Sequence, residues 1–121
     1  MPAVGSARGR AVFGALRRSR RFRGGPVTLT WVPSPAGSPV RVAYAVGRRV
    51  GGAVVRNRLR RRLRAVAAEI NLAPGVYLIG ADVEAVECSF SELRTRVTEV
   101  AMAARALPAP PAVGADVTTP A

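Results

Sequence analysis

From Ala53 to Ile70 the apolar residues recur with the period of a helix, and nearly all the remaining large side chains are Arg. At about 100° per residue, Val55, Leu59, Leu63, Val66 and Ile70 fall within a stripe roughly 80° wide. The rest of the circumference carries Arg56, Arg58, Arg60, Arg61, Arg62 and Arg64 with Asn57, and no carboxylate interrupts them. Asn57 falls nearly opposite the apolar stripe, with Arg61 and Arg64 as its i+4 and i+7 neighbours. A solvated helix normally intersperses Glu with Arg and gains about 0.3–0.5 kcal/mol per pair, whereas like charges at that spacing repel by a similar amount. A phosphate-rich surface relieves that repulsion, because Arg presents a planar donor fork to phosphate oxygens and each neutralised phosphate releases counterions. The competing reading is a merely solvated basic face.

The skew extends beyond this helix. Residues 1–64 hold 16 Arg and no carboxylate, while residues 65–121 hold 3 Arg and all seven acids, so the halves carry +16 and −4. All 19 basic residues are Arg and there is no His. Coding bias explains the lack of Lys as well as function does, but it would spread Arg evenly, so position is the signal. The formal charge of +12 points to a polyanionic partner. With 121 residues the chain makes one domain, too small for a two-domain enzyme. The single Cys88 cannot close an internal disulfide, which fits a reducing cytoplasm, and it reads as a small packed hydrophobe. No apolar run approaches the ~20 residues needed to span a bilayer, so a soluble protein with no membrane partner is expected. Residues 1–23 are basic enough to imitate a transit peptide, but the basic run continues through sequence patterned like a folded domain.

Patterning along the chain predicts an α+β domain over residues 8–107, preceded by a flexible 1–7 and followed by a disordered Pro/Ala-rich tail at 108–121. Arg10 to Arg21 reads as a short amphipathic helix ended by Gly24-Gly25-Pro26. Val27 to Val32 and Val40 to Val46 alternate as strands, and across the proline-rich loop at 33–39 they are expected to pair as an antiparallel hairpin. Asn71-Leu72-Ala73-Pro74-Gly75 stops the Arg-rich helix. Val76-Tyr77-Leu78-Ile79 then has the unbroken apolarity of a strand buried on both faces, implying a strand–helix–strand crossover. Ser89-Phe90-Ser91-Glu92 fits a capping box, with Cys88 and Leu93 placed as a staple, and opens a last helix expected to reach about Leu107. There is no internal repeat.

The stretch Val42-Ala43-Tyr44-Ala45-Val46-Gly47-Arg48-Arg49-Val50-Gly51-Gly52-Ala53-Val54-Val55-Arg56-Asn57-Arg58, followed by further Arg, resembles the protein subunit of bacterial ribonuclease P, whose signature helix carries Arg-Asn-Arg. The similarity covers roughly residues 8–106. It implies a small α/β sandwich in which the Arg-rich helix lies in a left-handed βαβ crossover, against the usual right-handed rule. It also implies that Arg48, Arg49, Arg56, Asn57, Arg58, Arg60, Arg61, Arg62 and Arg64 face a catalytic RNA. A cleft for the single-stranded 5′ leader of precursor tRNA is implied as well, with Phe13, Arg17, Trp31, Ala45 and Ala81 at the matching positions. Stacking of unpaired bases on such rings is worth about 1–3 kcal/mol per base; the alternative for Phe13 is core packing. The sequence departs from the family pattern at Gly52, where Asn is usual, at Arg17, where a second aromatic is common, and at Val12, where an acid is frequent.

Cleavage of a phosphodiester by protein groups needs a general base and, commonly, carboxylates holding a divalent metal. The basic half has neither, and the acids of the other half show no paired-ligand spacing, so no catalytic side chain and no protein metal site is expected. This agrees with the resemblance, which assigns cleavage and Mg²⁺ to the RNA subunit and implies one protein copy per holoenzyme. Two other classes compete. A small ribosomal protein shares the composition, and a DNA-binding regulator would need varied base-reading side chains on its recognition helix.

Overall fold

The computed structural model describes residues 4–7 and 9–107. The chain runs β1 (Val4–Ser6), α1 (Arg10–Arg18), β2 (Arg21–Gly24), β3 (Val27–Pro33), β4 (Val40–Val46), α2 (Ala53–Glu69), β5 (Gly75–Ala81) and α3 (Phe90–Ala103), with 3₁₀ turns at Arg48–Val50 and Val83–Glu87. The strands form one sheet in the order β1-β4-β5-β3-β2. β5 sits at its centre, parallel to β4 and antiparallel to β3.

That order corrects the expected hairpin. β3 and β4 are not neighbours, because β5 lies between them. The physical reason is burial. β5 is apolar on both sides and needs a strand on each flank and a layer on each face, which an edge position would not provide. The true hairpin is β2–β3, where Gly24 faces Val27 across a two-residue turn. Gly25 there has φ 58 and Pro26 follows with its ring-fixed negative φ, the combination that suits the right-handed twist of paired strands.

Three further boundaries differ from expectation. The first helix ends at Arg18, because Ser19 turns extended, its amide donating to Leu16 O (3.2 Å) and its hydroxyl to Ala15 O (2.9 Å). Arg21-Phe22-Arg23 then alternates in β2, with Phe22 packed against the core and the Arg20 guanidinium 4.8 Å from its ring. The last helix stops at Ala103 instead of near Leu107. Arg105 takes φ 61, its amide donates to Met102 O (3.0 Å) and the Ala106 amide to Ala101 O (2.7 Å), a Schellman closure with Arg where Gly is usual. Finally, Val4–Ser6, expected to be flexible, pairs parallel with Val40–Val42. Residues 1–3 and the expected tail at 108–121 lie outside the described residues.

The register sorts the side chains into two faces. One face gathers Val27 and Leu29, Val40, Val42 and Val46, and Tyr77 and Ile79. Leu59, Leu63 and Val66 of α2 and Leu93, Val97 and Val100 of α3 close over it into a single core. α2 covers the β4 side and α3 the β2–β3 side. The capping box that opens α3 forms as predicted, with the Ser89 amide donating to Glu92 Oε1 (2.7 Å) and the Glu92 amide to Ser89 Oγ (3.1 Å). These bonds hold the Glu92 carboxyl below the ordinary carboxylate range. The second face is covered only in part, by α1, with Leu16 buried beneath it and Ala11, Val12 and Ala15 against Val32 and Val76.

Candidate nucleic-acid interface

Two basic surfaces follow from this layout. The first is α2. Its predicted stripe is buried as expected at Leu59, Leu63, Val66 and Ile70, with Val55 half-buried. The arginines divide into flanks and crest. On the β4 flank, Arg60 donates to Val46 O (3.4 Å) and to Asn57 Oδ1 (2.9 Å), and the Arg64 guanidinium lies 5.6 Å from the centre of the Tyr44 ring. On the opposite flank Arg62 donates to Cys88 O, and near the helix start Arg56 Nε donates to Gly51 O (3.1 Å). Asn57, Arg58 and Arg61 lie exposed along the crest, with Arg64 exposed at its β4 edge, and Val54 there is 72% exposed.

None of the six α2 arginines has a carboxylate partner among the described residues; the ion pairs found are Arg23–Asp82, Arg94–Glu69 and Arg96–Glu99. A guanidinium has five N–H donors, so a carbonyl bond fixes the direction of the side chain and leaves most of its donor fork available. Helical spacing alone makes all six arginines equivalent on one arc. The structure instead anchors Arg56, Arg60 and Arg62 to backbone carbonyls and leaves Arg58 and Arg61 projecting. Burial pushes the Tyr44 hydroxyl up, with Arg64 opposing, and that hydroxyl is buried without a hydrogen-bond partner among the described residues.

The second surface is the part of the sheet that α1 leaves open. Arg23, Thr28, Gly80 and Ala45 lie side by side on four adjacent strands, and Arg21, Thr30, Leu78 and Ala43 form the next row. The first row floors a groove of about 270 Å³, whose walls include Arg21, Arg49 and Asp82. Its depth comes from Gly80, where an added Cβ would stand 2.5 Å from Thr28 Oγ1. Arg49 belongs to the 3₁₀ turn that leads into α2, so the groove and the helix form one continuous basic surface. Arg48 is exposed on the same turn.

The expected cleft residues are only partly brought together. Ala45 is on the groove floor; Ala81 borders the groove, but its register with Val27 and Val46 turns its side chain to the core face, where it packs against the core. Phe13 (36% exposed) and Arg17 share the flank of α1 opposite the one that packs on Val32 and Val76, which turns them toward the open end of the sheet. Trp31 is not in the cleft. It is paired across the sheet with Tyr77 on the core side, stacked on that ring at 5.9 Å, and donates from Nε1 to Pro74 O (3.3 Å). The strand period places Trp31 with Leu29 and Val27 and the cleft positions with Thr28 and Thr30. Arg21 and Arg23, which line the groove, are not singled out from sequence because Arg21 falls at the end of the expected helix and Arg23 between it and the turn; the alternation Arg-Phe-Arg was the available signal.

Among the described residues no helix is long and apolar enough to cross a membrane, and no three His, Cys, Asp or Glu side chains stand together as a metal site.

The family model for ribonuclease P matches residues 7–105. Among curated relatives, the ribonuclease P protein component of Thermus oshimai is 41% identical over 88 residues, covering 73% of this chain and 56% of that protein. The one from Thermus aquaticus is 40% identical over 88 residues, covering 73% and 52%. The chain thus spans about half the length of the curated relatives it matches. Among solved structures, the Staphylococcus aureus RNase P protein superposes with a TM-score of 0.72 at 14% identity, covering 85% of this chain and 97% of that one. The Thermotoga maritima RNase P protein superposes at 0.67 and 15% identity, covering 78% and 93%; these two likenesses bear on the fold. Since the matched span takes in α1, both basic surfaces and α3, the chain belongs to the ribonuclease P protein family.

Proposed function

We propose that this chain is the protein component of ribonuclease P. It docks the catalytic RNA through Arg48, Arg49 and the crest of α2, and holds the 5′ leader of precursor tRNA between α1 and the open sheet face. By gripping substrate outside the RNA's own binding surface, it aids leader removal to give the mature 5′ end and broadens the range of substrates accepted. The observation that carries this reading is the α2 crest, where arginines on a family-matched helix stand without carboxylate partners among the described residues. Cations held at that density favour a surface that supplies phosphates.

Bond breaking is assigned to the RNA partner. Among the described residues, the carboxylates of the acidic half stand apart or serve local structure: Asp82 caps Val83, Glu92 closes the capping box, and Glu69 and Glu99 pair with Arg. This donor set does not fit a protein-held Mg²⁺, so the ion is placed on the RNA subunit and no step is routed through the protein. One protein copy per holoenzyme in the cytoplasm completes the proposal. Its test is reconstitution with a bacterial ribonuclease P RNA at low magnesium, followed by 5′ cleavage of a precursor tRNA. Stimulation is expected. Binding to ribosomal RNA without stimulation would instead make the chain a ribosomal protein.

A further inference from the structure

Every aromatic side chain on the sheet points away from the groove. Phe22 is paired with Leu29, Trp31 with Tyr77, and Tyr44 with Ile79, all on the face that α2 and α3 cover. The groove face carries Thr28, Thr30, Ala43, Ala45, Leu78 and Gly80 instead. Its charged side chains are Arg21 and Arg23 on one side and Arg49 on the other, against the single acid Asp82, whose carboxylate lies 3.8 Å from Arg23. Phe13 on the flank of α1 is the one ring turned toward this space.

We propose that the groove holds a single-stranded leader by its phosphates and without reading its bases. The inference rests on the assignment of the groove to the leader. A floor of small side chains lets a sugar–phosphate strand settle close to the sheet between two arginine walls. Four adjacent strands about 4.8 Å apart give that floor a span of roughly 14 Å. Stacking, the usual source of base affinity in single-strand binding, needs rings on the floor, and this sheet has turned its rings into the core. The Arg23 side of the Arg23–Asp82 pair is exposed and Asp82 is half-buried, so phosphate can compete for that guanidinium.

The test uses the full chain in reconstituted holoenzyme. Its probes are precursor tRNA with an intact leader, the same tRNA with an abasic leader, and mature tRNA. Arg21→Ala/Arg23→Ala should weaken binding of both precursors relative to mature tRNA and lower the leader-dependent part of the log–log salt slope by about 0.7 for each phosphate no longer neutralised. In a Phe13→Ala background, intact and abasic leaders should bind within about threefold of each other, since the one available platform is gone. Asp82→Asn, which retains an oxygen to cap Val83, should tighten binding of precursor with either leader. If the Phe13→Ala protein still prefers the intact leader by about tenfold or more, the groove reads bases and the inference fails while the leader assignment stands. If Arg21→Ala/Arg23→Ala weakens precursor and mature tRNA equally, the groove does not hold the leader and both fail. If Asp82→Asn leaves affinity unchanged, the arginine walls are not the grip and the inference again fails.

Discussion

α2 and α3 lie side by side on the same face of the sheet, and their arginines have opposite fates. On α3, Arg94 reaches Glu69 and Arg96 reaches Glu99, each at 3.3 Å. On α2, the arginines with partners are tied to carbonyls or to a ring, and Arg58 and Arg61 project without a carboxylate partner among the described residues. Among the described residues, one helix has its arginines matched by acids and the other does not. The number of arginines does not make this difference; what matters is whether an acid was placed within reach. Arginine is thus paired with acids on one helix and left without them on its neighbour, the helix proposed to face RNA.

The sharpest way to break this contrast is to separate the two sides of α2 itself. Leu63→Ala, at a fully buried position, should lose about 2–5 kcal/mol of folding stability in denaturant titration. The folded fraction should still bind RNA with the wild-type salt dependence. Arg58→Ala/Arg61→Ala/Arg64→Ala should do the reverse. Its RNA affinity should fall on the order of a hundredfold, and its thermal midpoint should hold or rise as like charges are removed. If both variants lose affinity and stability together, stripe and crest are not independent surfaces.

Smaller effects sharpen the α3 side. Ser89→Ala should lower stability by about 1 kcal/mol, because the Glu92 amide loses its acceptor at the helix start. Glu92 has a lowered folded-state pKa, so its contribution is present above the ordinary carboxylate range and is lost as pH falls through the lowered value. In an acid titration, Glu92→Gln should therefore be less stable than wild type near neutrality, where the carboxylate contributes, and converge with it at low pH, so that its acid loss is shallower. Least of all, Arg94→Ala should change stability by about 0.2–1 kcal/mol, the range for exposed pairs, and leave RNA affinity near wild type.

Local pattern revealed much of this layout and misled where the decision was not local. The α2 stripe and the capping box follow from spacings within a few residues, and both stand in the structure. The strand order does not. Alternation marks Val27–Val32 and Val40–Val46 as strands, but their pairing depends on β5, thirty residues further on. The unbroken apolarity of Val76–Ile79 already called for a central position, and the hairpin expectation ignored it. The crest was legible because charge without counter-charge is a property of sequence. Its division into anchored and projecting arginines was not, since the anchors are carbonyls of Gly51, Val46 and Cys88 supplied by tertiary packing. Trp31 was misplaced for the same reason. The family resemblance puts an aromatic at that position in the cleft, yet register pairs Trp31 with Tyr77 in the core.

The proposed docking of RNA on α2 is tested most directly by the salt dependence of binding to ribonuclease P RNA, compared between the Arg58/Arg61/Arg64 triple alanine variant and an Arg94/Arg96 double alanine variant. The log–log slope should shrink by about 2 units in the triple variant, at roughly 0.7–0.9 per phosphate contact, and remain at the wild-type value in the double. An unchanged slope in the triple variant, or an equal reduction in both, would contradict the assignment of the α2 crest to the RNA.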